Sequence, residues 1–194
     1  MASLRRAIEA AGWPTWARTY PSRHHDLRAL GHEVAGWIRS EVGDGPIVGV
    51  THSLGGILVR IMRDELPWRG VVMLAPPNAG SRVATRLHGN RLYGWVYGPA
   101  GVEVARSPVW PPPPSPFAVI AGTRGRSIGN PTSWATRTLG LLPGGVPSDG
   151  TLAVDETRLP GMAAFATVDA SHTWIMNHPD THRLVLRFLE TEQF

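Results

Sequence analysis

Apolar residues at Leu4, Ala7, Ile8 and Ala11 repeat at helical spacing, which predicts a helix over residues 3–11. Gly12 follows as a residue suited to ending it. Thr15 to Tyr20 is rich in aromatic and β-branched types and reads as a short strand, broken by Pro21-Ser22-Arg23. Leu27, Leu30, Val34, Trp37 and Ile38 return to helical intervals, so 26–42 is an amphipathic helix, closed by the turn Gly43-Asp44-Gly45. Ile47-Val48-Gly49-Val50 is an unbroken apolar run of the kind found in buried parallel strands. Ile57 to Leu66 is helical up to Pro67. Val71–Ala75, Phe117–Ala121 and residues 163–168 are three further strands, and Pro179 to about Glu190 is a closing helix with Leu184, Val185, Phe188 and Leu189 on one face.

Strands alternating with helices imply a mostly parallel sheet with helices on both faces. Two long connections interrupt the alternation. Residues 76–116 hold Gly, Pro and aromatics and end in Pro111-Pro112-Pro113-Pro114, a stretch long enough for a lid or cap over a substrate, or for a plain surface loop. Residues 123–150 form a second Gly- and Pro-rich connection.

Composition narrows the class. A chain of 194 residues, 42% hydrophobic, fits one domain with a real core. Cysteine is absent, so neither a disulfide framework nor a thiolate nucleophile is available. No apolar run approaches a membrane span, and the start Met1-Ala2-Ser3-Leu4-Arg5-Arg6 lacks a signal-peptide core, so the expected location is cytoplasmic. The net charge of +4 comes with arginine as the basic residue throughout. These arginines are scattered, without an aromatic-basic cluster, so nucleic acid is not the expected partner.

The densest chemical signal is Thr51-His52-Ser53-Leu54-Gly55, a variant of G-x-S-x-G between a buried strand and a helix. Such a serine sits on a tight strand-to-helix turn with its Oγ aimed into a cleft, and bulk two positions away would crowd the turn. Gly55 meets that demand, and Thr51 is larger than the usual residue. The N–H of Leu54 stands at a helix N-terminus, where it can donate to a developing oxyanion. The plainer reading is that Ser53 caps the next helix.

Val48 to Gly56 resembles the elbow of bacterial esterases and small lipases of the α/β-hydrolase superfamily. Pro76-Pro77-Asn78-Ala79-Gly80-Ser81 is similar to a loop of lipase-like members. The resemblance runs from the first helix to the last and implies an α/β-hydrolase fold with Ser53 as nucleophile. It also implies the chain order serine, acid, histidine. His24, His25 and His32 precede the serine, His52 lies in the elbow turned from the Ser53 side, and His88 falls in the 76–116 excursion. His172 follows the last strand, where the family puts its base. His178 and His182, four apart, read as a solvated helix end rather than a metal pair. Asp149, in Ser148-Asp149-Gly150, resembles the Asp-Gly loop of lipase-like relatives and is the expected acid, though it also suits a simple turn. Asp155 is the reserve, with Glu156 a further candidate, and Asp169 lies uncomfortably near His172 in sequence. His52, Pro77 and Asn78 are expected around the substrate.

In the family an early strand and a His-Gly-type loop precede the first helix and supply a second oxyanion donor. This sequence opens at the helix, so the expected fold is N-terminally truncated, with a gap or an exposed edge beside the serine strand. A gene start placed too far downstream, an inactive truncated domain, or Thr15 to Tyr20 shifting into the gap would each account for it. The expected activity is hydrolysis of a small-molecule ester or lipid through an acyl-enzyme, with no metal or cofactor. The alternatives are a non-catalytic binding domain, or the same residues acting on a thioester, an amide or another acyl acceptor.

Overall fold

A computed structural model of the chain describes residues 1–20, 26–87, 110–125 and 145–194. Its centre is a four-stranded, all-parallel sheet in the order β1-β2-β3-β4, formed by β1 (Ile47–His52), β2 (Trp68–Leu74), β3 (Phe117–Gly122) and β4 (Ala164–Val168). Among the described residues the α-helices are α1 (Ala2–Ala10), α2 (Leu27–Val42), α3 (Leu54–Ile61), α4 (Arg82–Leu87) and α5 (Pro179–Thr191).

The strand sequences are continuously apolar because both sheet faces are covered. Side chains alternate between two cores along each strand. Val71 and Met73 of β2, with Phe117 and Val119 of β3, join Leu30, Val34, Ile57 and Leu58 of α2 and α3. Val72 and Leu74, with Ala118 and Ile120, join Leu4 and Ile8 of α1 and Val185 and Phe188 of α5. Each large aliphatic side chain fully buried in these layers contributes roughly 1.5–3 kcal/mol.

Most boundaries shift by a residue or two, and three differences from the sequence expectation are larger. The helix after the serine starts earlier and ends earlier, at Ile61, because the chain turns through Met62–Glu65 to enter β2 at Trp68. β2 extends back to Trp68, beyond the apolar run, since parallel pairing with β1 reaches Ile47. Thr15 to Tyr20, expected as a strand, has no strand pairing. Among the described residues no backbone hydrogen bond engages it, and a strand exists only where a neighbour takes up its backbone groups. Among the described residues the anticipated exposed edge is present: β1 is the outermost strand and is partly exposed at all six positions, whereas Val71–Leu74 of β2 and all of β3 are buried.

Of the 76–116 excursion, residues 88–109 lie outside the described residues, as do His24, His25 and His88. The described part is firmly attached. Arg60, on α3 and only 3% exposed, donates from Nε to the Pro111 carbonyl at 2.6 Å and from its other nitrogens to Trp110 O at 2.8 Å and Asn78 O at 3.1 Å. Burial lowers its pKa to about 10.

Candidate active site

Ser53 joins β1 to α3 with φ 51° and ψ −119°, a conformation strained for a residue with a Cβ. The bend is fixed from both sides. The Ser53 N–H donates to Leu74 O of β2 at 2.9 Å, and the Ser53 carbonyl accepts from Gly56 N at 3.0 Å. A Cβ on Gly55 would come 3.2 Å from the Thr51 Cβ, which is the crowding expected two residues from the turn. Gly56 is tighter still. A Cβ there would lie 2.9 Å from the Pro76 Cβ and 3.3 Å from the Met73 sulfur, so α3 can pack over the end of β2 only with glycine at this position. Ser53 Oγ makes no capping bond to α3.

The hydroxyl instead faces an imidazole. Ser53 Oγ lies 2.9 Å from His172 Nε2, and His172 Nδ1 lies 2.7 Å from Asp149 Oδ2. A carboxylate opposite Nδ1 makes that nitrogen the N–H donor, which leaves the Nε2 lone pair to accept from the serine hydroxyl. Asp149 is 1% exposed and is held by its own loop: Oδ1 accepts from Thr151 N at 2.9 Å and Leu152 N at 2.7 Å. Its backbone carbonyl accepts from the His172 N–H at 3.0 Å, so the two loops are joined by main chain as well as side chain. Gly122, at the end of β3, makes this close approach feasible. A Cβ there would fall 2.5 Å from Ala170 O and 2.8 Å from the Asp149 Cβ. Leu54 is the first residue of α3, and its N–H points from a helix N-terminus without an intrahelical acceptor.

The other candidates fall into place by their partners. His52 is turned from the serine and toward the histidine loop. Its Nε2 donates to the His172 carbonyl at 2.9 Å, and the two rings lie 4.9 Å apart between centroids. Burial, seconded by the neighbouring His172, pushes its pKa down to about 3, so the ring is neutral. Asp155 pairs with Arg82 at 2.7 Å, which lowers its pKa, and Asp169 pairs with Arg124 at 2.7 Å with the same effect. Glu156 is buried and accepts from the backbone N–H groups of Arg82 and Ala153, and burial raises its pKa. His178 accepts from Asp180 N at the start of α5, while His182 Nε2 donates to Met176 O at 2.9 Å, so the two engage separate partners. Pro77 and Asn78 are buried. The Asn78 amide donates to Thr157 O at 2.8 Å and accepts from Arg60 at 3.2 Å, which makes it a bolt between loops rather than a group presented to a ligand.

Sequence reasoning passed over Gly122, Arg60 and the amides of Thr151 and Leu152. Gly122 carried a faint signal, as a glycine ending an apolar strand run. The others carried none, since their roles come from residues distant in the chain.

No family model matches the sequence, and no curated protein matches it. Solved structures do match in shape. The phospholipase PlaB from Legionella pneumophila, in complex with thio-NAD, aligns with TM-score 0.67 at 17% identity over 98% of this chain and 55% of that one. The metagenomic carboxyl esterase MGS0156 aligns with TM-score 0.65 at 19% identity over 89% and 58%, respectively. The mature Bacillus licheniformis lipase BlEst2 aligns with TM-score 0.62 at 17% identity over 88% and 75%. The chain thus spans little more than half the length of the first two. Given the parallel sheet, the strained serine at the β1–α3 bend and these structural likenesses, the chain has the α/β-hydrolase fold.

Proposed function

We propose that this chain is a serine hydrolase that cleaves carboxylic esters through an acyl-enzyme. The observation that carries the reading is the continuous hydrogen-bonded line from Ser53 Oγ through the His172 ring to the buried Asp149 carboxylate. Ser53 Oγ attacks the ester carbonyl while His172 Nε2 takes its proton. The tetrahedral oxyanion is met by the Leu54 N–H at the positive end of α3. Collapse expels the alcohol, which leaves with the proton from Nε2. Water then attacks the acyl-enzyme by the same proton transfers, releasing the acid and restoring Ser53. Asp149 holds the Nδ1–H tautomer and stabilises the transient imidazolium. The substrate is a small-molecule ester or a lipid, consistent with the esterase and lipases that share the fold. The test is turnover of a short p-nitrophenyl ester by the native chain and by Ser53→Ala. Loss of at least about a thousandfold in the variant supports the reading, and equal rates defeat it.

A non-catalytic binding role is the second reading, favoured by the edge of β1, which no strand among the described residues covers. Labelling of Ser53 by a fluorophosphonate distinguishes the two, since only an activated hydroxyl reacts. Among the described residues no helix is long and apolar enough to cross a membrane.

A further inference from the structure

Two consecutive residues of the β1–α3 bend reach the same histidine. Ser53 Oγ lies 2.9 Å from His172 Nε2, and His52 Nε2 lies 2.9 Å from the His172 carbonyl oxygen. Neighbouring side chains leave a strand on opposite sides, so the serine meets the ring of His172 while His52 meets its main chain. A carbonyl only accepts, so His52 Nε2 carries the proton of this bond. With that N–H engaged, Nε2 is neither a base for Ser53 nor a group offered to a substrate.

His172 is thus gripped at three points. Asp149 Oδ2 meets its Nδ1 at 2.7 Å, the Asp149 carbonyl accepts from its N–H at 3.0 Å, and His52 donates to its carbonyl. The first two grips come from the loop at 149. The third ties the base to the strand that carries the nucleophile. The two imidazole rings also pack together, tilted by 47°. His52 faces His172, Asp149 and the Met1 amino group, and burial keeps it neutral there. The grip therefore sets no second charge beside the imidazolium that forms on His172 during proton transfer.

We propose that His52 is a positioning residue, whose Nε2–H bond to the His172 carbonyl sets the base at its distance from the Ser53 hydroxyl. Its effect on rate rests on the hydrolase reading given above; the grip itself rests on the geometry of the two loops. Because His52 precedes Ser53, any movement of the bend carries the base loop with it, and Oγ and Nε2 stay in register. Without the donor, His172 stays attached to Asp149 but can shift relative to β1. A displacement on the order of 1 Å costs about a hundredfold in rate. The loss falls on kcat, since the His52 N–H is taken up by protein and binds no ester.

Three variants separate the donor from the ring. His52→Phe keeps a ring without the donor, His52→Gln keeps a donor without the ring, and His52→Leu lacks both. Turnover of a p-nitrophenyl ester is measured on each, with urea midpoints to establish folding. The Phe and Leu variants should lose about 10- to 100-fold in kcat with KM within about twofold, while the Gln variant stays within about fivefold of native. The second readout is the proton that His172 Nδ1 shares with Asp149, followed by NMR. It should be sharp in the native, His52→Gln and Ser53→Ala chains and broadened by solvent exchange in the Phe and Leu variants. Native kcat in the Phe variant, a loss in Gln equal to that in Phe, a change confined to KM, or an unaltered Nδ1 proton in Phe and Leu overturns the proposal. Where one donorless variant does not fold, the other carries the comparison; failure of both to fold makes His52 a residue of the fold and also overturns it. Equal turnover by the native and Ser53→Ala chains defeats the hydrolase reading instead, and the Nδ1 proton, which needs no turnover, then decides the positioning by itself.

Discussion

Replacing His52 by glutamine should flatten the acid side of the stability profile. The His52 ring is neutral in the folded protein because burial and the adjacent His172 push its pKa from 6.5 down to about 3, with the Met1 amino group adding to that and Asp149 opposing it. In the unfolded chain the ring is ordinary and takes up a proton below about pH 6.5. The unfolded state therefore binds more protons than the folded state between those limits, so stability rises with pH there. The neutral ring's contribution is present in full above 6.5 and is lost as pH falls toward 3. At pH 5 the loss is about 2 kcal/mol, from 1.5 pH units at about 1.36 kcal/mol each. At pH 3 it approaches roughly 5 kcal/mol, an upper figure. His52→Gln keeps an N–H donor near the His172 carbonyl and cannot titrate. Urea midpoints for both proteins at pH 7.5 and pH 5 read the effect. The native chain should lose about 2 kcal/mol more than the variant over that interval. Parallel profiles would refute the reasoning, because they would mean that the ring is protonated in the fold at pH 5 or is never desolvated.

Other changes probe the site from different directions. Asp149→Asn should keep the fold and the backbone bonds at Oδ1, yet turn His172 into the wrong tautomer, lowering kcat on a p-nitrophenyl ester by about 10⁴. Unchanged kcat would remove Asp149 from the mechanism. Gly122→Ala should drive apart Asp149 and Ala170, costing about 1–3 kcal/mol in thermal or urea unfolding along with most of the activity. A fully active, equally stable variant would show that this contact yields. Arg60→Met leaves the carbonyls of Trp110, Pro111 and Asn78 without their donor and should destabilise by about 2–5 kcal/mol, read by denaturant midpoint. A change under 1 kcal/mol would show that water replaces the guanidinium.

The apolar runs at Ile47–Val50, Val71–Ala75 and Phe117–Ala121 were legible because a strand covered on both faces has no reason to alternate, and the helices between them showed their period directly. Ser53 was legible because a strained bend demands a local pattern, a strand before and small residues after. Pairing Asp149 with His172 came from resemblance and chain order; their 2.7 Å contact depends on two loops brought together across β3 and β4. Thr15 to Tyr20 shows the limit most clearly: its residues favour a strand, but pairing is a property of neighbours, and among the described residues no strand takes up its backbone. His52, Arg60 and Gly122 took their roles from what folding set against them: a carbonyl from residue 172, three loop carbonyls, and an aspartate passing under the end of a strand. Local sequence determines which segments can be helix, strand or bend, since those preferences act over a few residues. The donors, acceptors and burial that give a side chain its chemistry arrive from distant positions, so only the assembled structure decides them.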